Sequence, residues 1–86
     1  MKFVLNKCFG GFGLSDWAEE KMGCSNPNRD DPDLITLVTN HRKRVSGECA
    51  ALVVVEIPDN TTDFEIDEYD GFESITYVVD GKIHHA

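Results

Sequence analysis

Three groups of residues in this chain have the types to do chemistry, and their spacing decides what each can do. The first is Phe9-Gly10-Gly11-Phe12-Gly13, which follows an apolar stretch and precedes a helix-like one. Strand, glycine-rich turn and helix is the order in which backbone N–H groups cradle a phosphate. Only part of the dinucleotide-binding glycine pattern is present, because its third glycine is missing. Ser15-Asp16 also places a negative charge where a phosphate would sit. The simpler expectation is that the glycines let the chain turn tightly and let the helix lie close to the sheet. The alternative is a small-ligand site in a homo-oligomer, made by Phe9, Gly10, Gly11, Phe12 and Gly13 with the two phenylalanines as walls.

The second group is Glu68, Asp70 and Glu73, gathered around Asp70-Gly71. Like charges directly opposite on paired strands are destabilising. A bound cation would relieve them, and paired carboxylates can serve acid–base chemistry. At a hairpin tip, however, both glutamates can splay into water, and that is the expectation here. The third group is Cys8, Cys24, Cys49, His41, His84 and His85. Structural zinc takes ligands in two close pairs, about two to four residues apart, and these positions offer no such spacing. Three reduced and mostly buried thiols, exposed histidines, no metal and no cofactor are expected. No serine comes with a recognisable base, so the chain is not expected to be an enzyme.

Charge is the stronger signal. The net charge is −8 over 86 residues, with 16 acidic side chains against 8 Lys and Arg. From Glu56 to Asp80 there are nine acidic residues and no basic one. Non-specific nucleic-acid binding depends on neutralising phosphates with cations, so direct contact with nucleic acid is disfavoured. A one-sign surface instead suits a basic groove on another protein. Glu65, Asp67, Glu68, Asp70 and Glu73 are its expected central charges. The opposite charge is concentrated in His41-Arg42-Lys43-Arg44, which complements the C-terminal dipole of a helix.

These side chains must be positioned by a small set of elements. Residues 1–8 read as a strand and residues 14–22 as a short helix. Ser15 is its N-cap and Gly23 its end. After a loop over residues 24–30, Asp31-Pro32 opens a second helix with a cap and a proline at its first position. Leu34, Ile35, Val38 and Val45 form its core stripe, and Ser46-Gly47 closes it. Residues 49–57 are a Val-rich strand. Asp70-Gly71 and Asp80-Gly81 are two-residue hairpin turns. The first sets Tyr69 opposite Phe72, Glu68 opposite Glu73, Ile66 opposite Ile75 and Phe64 opposite Tyr77. The second pairs Val78 with Ile83. The expected fold is a single α+β domain over residues 1–86 in the order β-α-α-β-β-β. It would have one mainly antiparallel sheet of four to five strands with two helices on one face. Its longest apolar run is far short of the roughly 20 residues a membrane helix needs. Asn6 and Lys7 interrupt the N-terminal stretch before a secretory core forms. A cytoplasmic location is expected, and the small core and open edge strand favour a homodimer.

Four motifs carry a resemblance across nearly the whole chain. They are Asn6-Lys7-Cys8-Phe9-Gly10-Gly11-Phe12-Gly13-Leu14-Ser15, Arg29-Asp30-Asp31-Pro32-Asp33-Leu34, Val55-Glu56-Ile57-Pro58-Asp59 and Glu68-Tyr69-Asp70-Gly71. The chain resembles a family of small uncharacterised proteins of phages and prophages. It departs at residues 79–86, where a basic, aromatic tail would be expected. The resemblance transfers no reaction and no ligand. It implies a phage context, in which many small acidic proteins act by binding host proteins. The expected function is therefore non-catalytic binding of a host protein in the host cytoplasm, inhibiting a defence or nucleic-acid-processing enzyme through the acidic surface.

Overall fold

The computed structural model describes residues 1–86 as an α+β domain with two helices and five strands. The strands are β1 (Lys2–Asn6), β2 (Leu52–Glu56), β3 (Asp63–Tyr69), β4 (Phe72–Val79) and β5 (Lys82–His85). The helices, α1 (Asp16–Met22) and α2 (Pro32–Val45), lie between β1 and β2 in the chain. The expected element order is found, and all strand pairs are antiparallel.

The single expected sheet is instead two. β1 and β2 form a ribbon, and β3-β4-β5 form a separate meander. The cause lies in β1, where Phe3-Val4-Leu5 is apolar without alternation and is buried throughout. Successive side chains of a strand point to opposite faces, so such a strand needs cover on both. Val4 and Leu52 pack with Leu14, Ala18, Leu34, Val38 and Val45 on the helical side. Phe3 and Leu5 pack with Ile57 and Ile75 on the other side. The ribbon is thus a middle layer between the helices and the meander. The hairpin covers the ribbon's face rather than extending its edge.

Local chemistry explains the helices. The Ser15 hydroxyl accepts from the Ala18 N–H at 3.2 Å, and the Gly23 N–H closes α1 on the Glu19 carbonyl at 2.8 Å. The Asp31 carboxylate accepts from the Asp33 N–H at 2.9 Å, with Pro32 at the first turn of α2. Helix α2 kinks at His41, whose ring meets Trp17 edge-on. All three cysteines are free; Cys24 and Cys49 are exposed and Cys8 is half-buried. They lie in loops outside both apolar cores, which corrects the expectation of mostly buried thiols. No helix is long and apolar enough to cross a membrane.

Candidate functional site

The glycine-rich segment and the acidic hairpin, far apart in sequence, meet at one end of the meander. Asp70 and Gly71 both have positive φ, 49° and 87°, as a two-residue turn with the strand twist requires. The register follows with Tyr69 opposite Phe72, Glu68 opposite Glu73 and Ile66 opposite Ile75. A Cβ on Gly71 would overlap the backbone of Gly11, and one on Gly10 would overlap Cys49. Gly10 and Gly71 therefore serve close contact within the chain, and Gly11 supplies a positive φ of 94°. None of the four surface cavities is lined by residues 9–13.

A polar bolt holds this junction. Asn6 is fully buried at the end of β1. Its amide Nδ2 donates to the Gly71 carbonyl at 2.6 Å and the Cys8 carbonyl at 2.8 Å. Its Oδ1 accepts from the Ala51 N–H at 2.9 Å, and its own backbone N–H donates to Glu73 Oε1 at 2.9 Å. Arg29 meets the same carboxylate, with Nη2 donating to Oε2 at 2.9 Å and Nε lying 3.2 Å from each oxygen. Arg29 Nη1 donates to the Asn26 side chain and the Pro27 carbonyl, both at 3.1 Å. The guanidinium also lies over the Phe12 ring, 3.5 Å from its centroid.

This changes the role of Glu73. It was expected among the exposed charges, but its residue is only 6% exposed. Strand alternation places Glu73 on the side of Ile75 and Tyr77, facing the ribbon, and Arg29 compensates its charge there. Glu68 shares that side but remains exposed, and its Oε1 accepts from the Gly71 N–H at 2.9 Å. The two glutamates therefore do not crowd each other in water. One caps the turn and the other is bolted inward.

The outward side carries different chemistry. Asp63, Glu65, Asp67 and Tyr69 alternate along β3 opposite Val78, Thr76, Ser74 and Phe72 of β4. Glu65, Asp67 and Asp70 are exposed, as expected. The Thr76 hydroxyl donates to Asp67 Oδ2 at 2.9 Å and lies 3.2 Å from His85 Nδ1. This trio lies along the outward face of the sheet. At the apex, Phe9 stacks on Phe72 with centroids 5.2 Å apart, and Tyr69 meets Phe9 edge-on at 6.5 Å. The hairpin register named Tyr69 opposite Phe72 in the sequence, but gave neither a functional role. The signal was available, because two aromatics flanking a two-residue turn are necessarily paired on one face.

Lys7 sits beside this apex. Its ammonium donates to the Glu73 carbonyl at 2.8 Å and lies 5.0 Å over the Phe72 ring. Desolvation lowers its pKa below the ordinary lysine value, and the Glu73 charge opposes the shift. A lysine lowered on folding costs stability while it is protonated. That cost disappears as pH rises through its folded value towards the unfolded one.

Comparison of the chain with protein-family models, with curated proteins and with solved structures finds no match.

Proposed function

We propose that this chain is a non-catalytic binding protein that presents the outward face of β3-β4-β5 to a basic surface of another protein. One observation carries this proposal. Asp63, Glu65 and Asp67 share that face with no Lys or Arg on β3 or β4. The nearest cation in sequence, Lys82, pairs with Val79 and so shares the inward side of Tyr77. The acidic charge on this face is therefore uncompensated within the sheet. Such a face attracts a cationic groove before contact and speeds encounter. The phage resemblance makes a host enzyme in the cytoplasm the expected partner. Enzymes that handle nucleic acid carry Lys- and Arg-lined channels for phosphates, and an acidic face that occupies such a channel blocks it.

The test compares capture from host lysate by the wild type and by the triple variant Glu65→Lys, Asp67→Lys, Asp70→Asn. All three side chains are exposed and none touches the bolt, so the fold should persist. A basic protein retained by the wild type at low salt should be lost by the triple variant. The double variant Glu19→Lys, Glu20→Lys on α1 should retain it. Raising the salt should weaken wild-type capture, because the Debye length is only about 8 Å at physiological ionic strength. Equal capture by the wild type and the triple variant would refute the proposal.

A further inference from the structure

The aromatic apex adds a specificity that charge alone does not supply. Phe9 is 67% exposed and Tyr69 is 72% exposed, yet they are packed with Phe72 into one cluster. Adjacent exposed aromatics are unusual on a monomer surface and mark contact sites. Their backbone is fixed by close contacts. Phe72 and Tyr69 flank a tight turn, and Phe9 leaves the glycine segment that packs against Gly71. A rigid cluster loses little conformational entropy when a partner binds.

The surroundings decide the chemistry of the occupant. Asp67 precedes Tyr69 by two residues on the same face, about 6.8 Å along the strand, and Asp70 follows it in the turn. An apolar side chain docking here would have to desolvate those carboxylates without pairing them. A guanidinium satisfies both features, since it stacks flat on aromatic rings and donates in a planar fork to carboxylates. The chain makes this contact twice within itself. Arg29 lies 3.5 Å over Phe12 and Arg44 lies 4.0 Å over Trp17, whereas the Lys7 ammonium stands farther off, 5.0 Å over Phe72. A lysine ammonium is a compact, more strongly hydrated charge and gains less from a ring face.

We propose that the Phe9–Tyr69–Phe72 apex receives an arginine side chain of a basic partner segment, stacked on the exposed rings of Phe9 and Tyr69, away from Lys7 over Phe72, and paired with Asp67 or Asp70. This inference rests on the acidic face being the docking surface. It adds that the segment reaching the apex is read for arginine over lysine.

The experiment titrates the full-length protein with an arginine homopeptide and a lysine homopeptide of equal length at low salt, following fluorescence anisotropy of labelled peptide. The wild type should bind the arginine peptide about twofold to fivefold more tightly, the range expected of an exposed cation–π contact. The variant Phe9→Leu, Tyr69→Leu keeps apolar bulk but removes the two exposed π faces, and should lower the ratio towards one. Phe9→Ala alone should lower the ratio and serves if the double variant fails to fold. Equal binding of both peptides by the wild type, or an arginine preference unchanged in both variants, would overturn the inference and leave the acidic-face proposal standing. Failure of the wild type to bind either peptide would overturn both.

Discussion

Glu73→Ala should destabilise the protein by about 3–5 kcal/mol, the usual cost of removing one partner from a buried ion pair. The variant leaves the Arg29 guanidinium without its carboxylate and the Asn6 N–H without an acceptor. Small domains are stable by only about 5–15 kcal/mol, so a large part of the margin disappears. Urea denaturation should show a strongly reduced midpoint with little change in slope. The double variant Arg29→Met, Glu73→Leu should be much less destabilised than Glu73→Ala. Replacing both charges with apolar groups removes the unpaired guanidinium as well as the carboxylate. If Glu73→Ala melts like the wild type, the pair is ornamental and the bolt does not hold the junction.

Gly71→Ala should have the second large effect, and Gly81→Ala provides its control. Both glycines follow an aspartate in a two-residue turn and both have positive φ, 87° and 75°. A left-handed conformation alone costs a residue with a Cβ about 1–2 kcal/mol. At Gly81 nothing lies within 4 Å of the added carbon, so that cost is the whole effect. At Gly71 the carbon also overlaps the Gly11 backbone, and overpacking typically adds about 1–3 kcal/mol. Gly71→Ala should therefore lose clearly more stability than Gly81→Ala in the same denaturation assay. Equal losses would mean that the hairpin turn and the glycine segment are not in firm contact.

The parts of this fold that were legible in the sequence are those fixed by local chemistry. Asp-Gly admits few turn geometries, so both hairpin registers followed from it. Asp31-Pro32 and Ser15 marked helix starts because the first backbone N–H groups of a helix need acceptors. The division into two sheets was harder to see, because nothing local states whether a hairpin will extend a neighbour's edge or cover its face. The unbroken apolar run Phe3-Val4-Leu5 did carry that information, as a strand needing cover on both sides. Glu73 was misplaced for a related reason. Its alternation with Ile75 pointed it inward, but a buried carboxylate is tolerable only with a partner, and Arg29 lies 44 residues away in a loop. The outward placement of Glu65 and Asp67 needed only alternation and the turn. The apex of Phe9, Tyr69 and Phe72 required the glycine segment to meet the hairpin, a tertiary contact with no sequence signature of its own.

The central claim is that a cationic partner meets one face and one apex of this molecule. Chemical-shift mapping of the isotope-labelled protein during titration with the arginine homopeptide tests it most directly. Backbone amides of Glu65, Asp67, Tyr69, Asp70 and Phe9 should move together along one binding curve. Those of Glu19 and Glu20 on α1 should stay still, although both carry the same charge. Shifts spread over all exposed carboxylates alike, or concentrated on α1, would contradict the claim and reduce the acidic face to a solubilising surface.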